Sequence, residues 1–276
     1  MIIEFKIEHD DVLKNYLIKQ GISKRLGKKI KLYGKFYLNN IEVKNYAEIK
    51  KGDLLRIELD EEINDNIPIS TLPIDIVYED DYLLIINKPL NLSVHPSIKH
   101  YEDNLLSRLK NHFLIANINS NPHIVNRLDY ATSGLLVVAK NGFIHHQLTE
   151  TSIDRKYLAK VHGLLKEKDG ILDFPIERDP ASAIKRMVRK DGLKSITKYQ
   201  VIKELDHHSI LNITLVTGRT HQIRVHLSHL GHPIVGDVLY GNEGENLYLH
   251  SYYLKFIHPI TKQVIEWKNH PQWFHD

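Results

Sequence analysis

Cysteine is absent from the 276 residues. Disulfides and thiolate metal sites are thereby excluded, and a reducing, cytoplasmic home is expected. No apolar run approaches the ~18 residues of a membrane span, so no membrane partner is expected. The alternating stretch Met1–Ile7 lacks the apolar core of a secretory signal. Phosphate-loop and dinucleotide glycine patterns are missing, which argues against a nucleotide cofactor. Acidic residues are missing between Val12 and Ile41, where Lys14, Lys19, Lys24, Arg25, Lys28, Lys29, Lys31 and Lys35 give +8. The whole chain carries only +3, so the remainder is −5. A basic block beside a mildly acidic body suggests a polyanion-binding module, although a solvated lysine-rich helix face has the same composition.

What is present organises into two unequal units. Met1–Ile7 alternates as a half-buried strand. Val12, Leu13, Tyr16 and Leu17 have helical spacing, Gly21 stops that helix, and Ser23 can cap a second, basic one. Phe36–Leu38 and Ile41–Val43 flank Asn39-Asn40, a two-residue hairpin signal. Gly52-Asp53 turns into the strand Leu54–Leu59. The acidic, proline-containing Asp60–Pro73 reads as a linker. Beyond it, strands are expected at Tyr82–Ile86, Leu135–Ala139, Tyr157–His162, Ser209–Val216 and Tyr248–Phe256, and helices at Leu105–Leu114 and Gly142–Thr151. Glu177–Gln200 is the most basic part of this body, either a phosphate-gripping loop or an exposed hairpin.

The stretch that carries chemistry is His123–Lys140. A polar knot of Arg127, Asp129, Thr132, Ser133 and Gly134 precedes a buried apolar strand. An Asp on a tight loop braced by a core strand is held rigidly and stays reachable. Such an Asp can also merely close its own turn through Thr132 or Ser133.

Arg127-Leu128-Asp129-x-x-Thr132-Ser133-Gly134-Leu135 resembles the active-site motif of the RluA family of RNA pseudouridine synthases. Arg155–Gly163 and Gly218–His226, continuing to Gly231–Ile234 and Gly236-Asp237, are similar to that family's second and third motifs. After the strand Tyr82–Ile86 the chain is expected to turn at Asn87-Lys88-Pro89, a segment that also resembles family sequence, with Leu90-Asn91 in place of Ala-Gly. The first unit resembles an S4 RNA-binding fold, with Asn-Asn where its hairpin usually has Asn-Gly and with Leu26-Gly27 interrupting its second helix. The resemblance implies an α+β chain: an S4-like unit at 1–62 and a catalytic unit at 72–276. The latter is expected to be a mixed, mostly antiparallel sheet with flanking helices.

The reaction so implied detaches uracil from ribose, turns it and rejoins it through carbon. Nothing is added or removed, so no cofactor and no metal are expected. The 18 histidines lack metal-ligand spacing, and His221, His226, His229 and His232 are expected to make loop hydrogen bonds or to contact RNA. By resemblance Asp129 is the catalytic carboxylate. Addition to the base, attack at C1′ and proton abstraction remain open routes. A guanidinium alongside would favour the charged carboxylate and orient it bidentately, and Arg224 occupies the family's arginine position; alternatively Arg224 pairs a structural carboxylate. Tyr157 would stack on the flipped uracil and could offer its hydroxyl for proton transfer, the alternative being an ordinary strand tyrosine. Ile223 would pack beneath the ring or serve only the core, and Arg127 would enter the RNA stack. Lys24, Arg25, Lys28, Lys29, Lys185 and Arg186 are the RNA-binding candidates. Two departures from the family pattern, Asn126 in place of His and Ala131 in place of an acid, remove no reacting group. The expected activity is isomerisation of uridines in structured ribosomal RNA, or in transfer RNA, by a monomer. The alternative is a catalytically silent RNA-binding protein acting in ribosome assembly. Intact Asp129, Tyr157 and Arg224 separate the two, because a pure binder has no use for them.

Overall fold

The computed structural model describes residues 2–60, 63–241 and 244–275. In the first unit, four antiparallel strands lie in the order Ile2–Lys6, Leu54–Leu59, Gly34–Leu38, Ile41–Val43. Helix α1 (Leu13–Lys19) turns Leu13, Tyr16 and Leu17 inward, as their spacing demands. Gly21 follows at φ +74°, and the Ser23 hydroxyl accepts from the Leu26 amide at 3.2 Å to start α2 (Lys24–Tyr33). The expected interruption at Leu26-Gly27 does not occur. The Gly27 amide donates to Ser23 O at 2.8 Å, and fully buried Ile30 anchors the next turn. One helical glycine costs about 1 kcal/mol, less than the ~1.5–3 kcal/mol from burying an isoleucine side chain. The hairpin turns through Asn39 and Asn40 at φ 51° and 68°. Asn39 also binds Asp53 and the Leu54 amide. The expected end of this unit, residue 62, lies outside the described residues.

In the second unit, ten strands form one sheet among the described residues. The main order is Asp169–Asp173, Ile196–Leu205, His208–Leu215, Asp154–His162, Leu249–Ile257, Ser133–Ala139, Leu83–Lys88, Ile76–Glu79. His123–Ile124 and Val264–Lys268 pair to the side. Only Ser133–Ala139 against Leu249–Ile257 is parallel among the described pairs, so the sheet is mixed and mostly antiparallel. The near-continuous apolar run Leu135–Ala139 follows from burial on both faces. Leu136 and Val138 join the core with α3 (Leu105–Ile115), whereas Leu135, Val137 and Ala139 join that with α4 (Gly142–Glu150).

The second of these cores continues into the first unit. Phe5 meets Phe143 edge-on at 6.0 Å, and the Gln147 amide donates to Gln20 O at 2.9 Å. The segment read as a linker is strapped along α3. Lys110 donates to the carbonyls of Asn64 and Ile67, and Arg108 to that of Pro73. Strands at Ile76–Glu79, Asp169–Asp173 and Ile196–Leu205 were not expected. In the last, Thr197 and Tyr199 point inward while Lys198 and Lys203 point out, so its basic composition conceals a half-buried period. No helix among the described residues is long and apolar enough to cross a membrane.

Asp80 ties the turn before Leu83–Lys88 to the chain's far end. It accepts from His258 at 3.0 Å, Tyr78 at 2.7 Å and the amides of Tyr82 and Leu83. Burial raises its pKa, but these donors outweigh burial and bring it to about 2, below the ordinary 3.8. Its stabilisation is therefore present above the ordinary value and is lost as pH falls through about 2. Asp80→Asn should lower unfolding free energy at pH 7, with the gap to wild type closing between about pH 5 and pH 2. A gap that persists unchanged to pH 2 in urea titrations contradicts this.

Candidate active site

Leu128 is buried in the core, which turns the flanking Arg127 outward and leaves the Asp129 side chain 23% exposed. The Thr132 amide closes the turn on Asp129 O at 3.1 Å. The hydroxyls do not tether the carboxylate. Ser133 bonds His250 Nδ1 at 2.8 Å, and Thr132 Oγ1 has no partner among the described residues. Burial pushes the His250 pKa down to about 4, so the ring is neutral at pH 7. It gives its Nε2 proton to Asn269 O and receives the Ser133 proton at Nδ1. Gly134 sits at φ +111°, where a Cβ would strike the Ser251 backbone. Glycine is what lets this strand approach Leu249–Ile257.

Lys88, expected in a turn, ends the strand Leu83–Lys88 and is fully buried. Its ammonium donates to the carbonyls of Pro89 (2.9 Å), Leu92 (2.9 Å) and Tyr130 (3.1 Å), one for each proton. It therefore clamps the residue after Asp129 to the Pro89–Leu92 turn. Burial pushes its pKa down to about 7, with the Asp129 charge opposing.

Arg224 comes from α5 (Gln222–His229). Gln222 seats that helix: its oxygen accepts from the Thr217 hydroxyl and the Arg219 amide, and its nitrogen donates to Ile196 O and Thr197 Oγ1. The bidentate fork expected on Asp129 lies instead on Asp237, with Nε–Oδ2 2.8 Å and Nη2–Oδ1 2.7 Å. Asp129 receives only the remaining Nη1, at 3.7 Å. The reason is burial. The Asp237 side chain has no exposure, and a carboxylate there needs a matched cation and hydrogen bonds. Its Oδ1 also accepts from the amides of Leu239 and Tyr240. Burial disfavours the Arg224 charge, but Asp237 and Asp129 outweigh it and raise its pKa. One guanidinium thus spans two carboxylates, a buried one that fixes it and a partly exposed one that it faces.

Tyr157, buried at a bulge opposite Ser251, has its phenol pKa pushed up by burial. Arg127, Asp129, Tyr157, Ile223 and Arg224 all line one cleft of about 290 Å³. Four of the RNA-binding candidates lie elsewhere: Lys24, Arg25, Lys28 and Lys29 are exposed on α2, with no acidic group within 4.0 Å among the described residues. Lys185 precedes, and Arg186 begins, the second arm of the hairpin Ile176–Arg178/Arg186–Val188. The Arg186 amide donates to the Tyr240 hydroxyl at 2.7 Å. Of the four histidines, buried His226 bonds Thr197 and Phe174 O, and His232 donates to His162 O.

Sequence reasoning assigned no role to Lys88, Arg155, Asp237 or Tyr240. Arg155 lines the cleft, and its buried Nε lacks a partner among the described residues, as does Asn126 Nδ2. Buried polar atoms without partners are rare in proteins, and their clustering at one cleft marks a ligand site. Lys88, Arg155 and Asp237 stand inside the motifs, but motif order does not show that Lys88 reaches the Tyr130 carbonyl, that Arg155 lines the cleft, or that Asp237 takes the Arg224 fork.

The family model for RNA pseudouridylate synthase matches residues 82–229. A Bacillus subtilis (strain 168) protein named uncharacterized RNA pseudouridine synthase YjbO is 39% identical over 260 residues, covering 91% of this chain and 92% of that one. Ribosomal large subunit pseudouridine synthase D of Buchnera aphidicola subsp. Schizaphis graminum (strain Sg) is 37% identical over 256 residues, covering 84% and 80%. Among solved structures, human RNA pseudouridylate synthase domain containing 1 aligns with TM-score 0.60 at 27% identity, covering 74% of this chain and 86% of that one.

The Lys88 clamp has a pH signature. Its folded pKa of about 7 lies below the ordinary 10.5, so burying the charge opposes stability below about pH 7. That penalty is relieved as pH rises between the two values. Lys88→Met strands three carbonyls and should lower stability at pH 7 by about 2–4 kcal/mol. The deficit relative to wild type should widen from pH 7 to pH 10. A deficit that shrinks over that range contradicts the assignment.

Proposed function

This chain belongs to the RNA pseudouridylate synthase family, and on that footing we propose that it isomerises uridines of structured ribosomal RNA to pseudouridine with Asp129 as the catalytic carboxylate. The observation that carries the reading is convergence. Three separate stretches of chain, around residues 127–129, 157 and 223–224, meet in one cleft. Each supplies a residue type that the isomerisation needs.

A uridine inside a helix must leave the stack before its glycosidic bond can be reached. Arg127, exposed at the lip, fills the gap left behind. Tyr157 and Ile223 hold the extruded uracil on an aromatic and an aliphatic surface. Asp129 acts at the base or sugar while the C1′–N1 bond breaks and the C1′–C5 bond forms; C5 gives up its proton and N1 takes one up, so the composition is unchanged. Arg224, pinned by Asp237, keeps a positive charge against the carboxylate and limits its rotation. Ribosomal RNA is favoured over transfer RNA because relatives carry the name ribosomal large subunit pseudouridine synthase D.

We assign residues 1–62 to an S4-like RNA-binding module and residues 72–276 to the catalytic unit of a monomeric protein. What supports the first assignment is the exposed row Lys24, Arg25, Lys28 and Lys29 on α2, together with the two-helix and hairpin order. Lys185 and Arg186 would meet phosphates beside the cleft.

Two measurements test the reading. Purified Asp129→Asn should bind unmodified large-subunit rRNA as wild type does and form no pseudouridine, because the change removes charge while keeping shape. Turnover like wild type would reject Asp129. Replacing Lys24, Arg25, Lys28 and Lys29 together by Gln should make log affinity fall less steeply with log salt. The slope should shrink by roughly 0.7–0.9 for each RNA phosphate that these side chains neutralise in the wild type. An unchanged slope would make α2 a solvated face.

A further inference from the structure

Tyr240 is held from several sides. Its amide donates to Asp237 Oδ1 at 3.2 Å, and its carbonyl accepts from the Ser228 hydroxyl at 2.7 Å. Its hydroxyl accepts from the Arg186 amide at 2.7 Å and lies 2.8 Å from His221 Nδ1. The Arg224 guanidinium lies over its ring at 5.2 Å. A phenol has one proton. With the Arg186 N–H occupying the oxygen as acceptor, the hydroxyl proton has His221 Nδ1 as its partner. His221 Nδ1 is then an acceptor, and a neutral ring must carry its proton on Nε2. Burial lowers the His221 pKa, as do Arg224 and Arg186, against the opposing charges of Asp129 and Asp237. This favours the neutral ring at pH 7, and in that ring the tautomer follows from the hydroxyl, whose remaining partner within hydrogen-bond distance among the described residues is Nδ1.

His221 also lines the cleft that holds Asp129, and its backbone is left-handed at φ 58°, ψ 18°. Non-glycine residues are uncommon in that region, histidine less so than most, and such conformations gather at functional sites. The Gln222 staples on the following residue hold it in place.

We propose that His221 is a substrate-contacting residue whose Nε2–H donates to an oxygen of the extruded uridine nucleotide, and that Tyr240 is the positioning residue that fixes this tautomer. Because the same hydroxyl binds the Arg186 backbone, it also ties the basic hairpin to the cleft. No proton is transferred in this role; the donor orients the nucleotide while the glycosidic bond is exchanged. The inference rests on the uridine-isomerase reading.

The test combines ring-nitrogen NMR with kinetics on the full-length protein. With ¹⁵N-labelled histidine, the signals missing from His221→Gln belong to His221. Wild type should show Nε2–H with unprotonated Nδ1 at pH 7, and Tyr240→Phe should shift His221 toward the Nδ1–H form. An Nδ1–H or doubly protonated ring in wild type overturns the proposal without any variant having to fold. In Asp129→Asn protein, adding unmodified large-subunit rRNA should move the His221 Nε2 signal; an unmoved signal with RNA bound overturns the proposed donation to the nucleotide. In single-turnover assays with saturating enzyme, Tyr240→Phe should lose about tenfold and His221→Leu about 100-fold in rate, with RNA affinity within about twofold. Variants as fast as an active wild type defeat this inference alone. A wild type that makes no pseudouridine defeats the underlying reading instead.

Discussion

The buried pair of Arg224 and Asp237 is the interaction on which the cleft depends. Removing either partner would leave an uncompensated charge in the interior. Its value to the site is directional. A guanidinium held through Nε and Nη2 has its plane fixed, so Nη1 must face the cleft. Asp129 lies 3.7 Å from that nitrogen, close enough for attraction and too far for a hydrogen bond. The carboxylate is thus guided without being consumed by a pair, the freedom that the catalytic role proposed for Asp129 requires. The same Asp237 receives the Tyr240 amide, so one carboxylate positions both the arginine and the tyrosine behind His221.

The second constraint works from the opposite side. Lys88 clamps the Tyr130 carbonyl, Leu128 is buried in the core, and Gly134 permits close strand contact. The loop around Asp129 is therefore fixed before, beside and after the carboxylate. Precision at the site comes from buried polar contacts between distant stretches, while the two apolar cores supply the rigidity behind them.

Much of this was legible in the sequence. Periodicity placed α1, α3, α4 and the strand Ser133–Ala139 to within a few residues, because each has a strong apolar pattern. The motif around Asp129 and that around Arg224 named the residues that meet in the cleft. Other features were hidden for physical reasons. Lys88 read as turn because a lysine in a buried strand is improbable until three carbonyls surround it. Arg224 read as the bidentate partner of Asp129 because motif order says nothing about which carboxylate is deeper. Asp237 won the fork by being fully buried. The strand Ile196–Leu205 was concealed by its outward lysines, and the role of Tyr240 depends on an amide 54 residues away.

The most direct measurement is the single-turnover rate of pseudouridine formation by Arg224→Lys on unmodified large-subunit rRNA, beside wild type. Lysine keeps the positive charge but cannot serve a fork and a second carboxylate in fixed geometry. If the guanidinium spanning Asp237 and Asp129 is what poises the carboxylate, the rate should fall about 100-fold while RNA affinity and the folded state are retained. A rate near wild type would show that charge alone suffices, and would contradict the account.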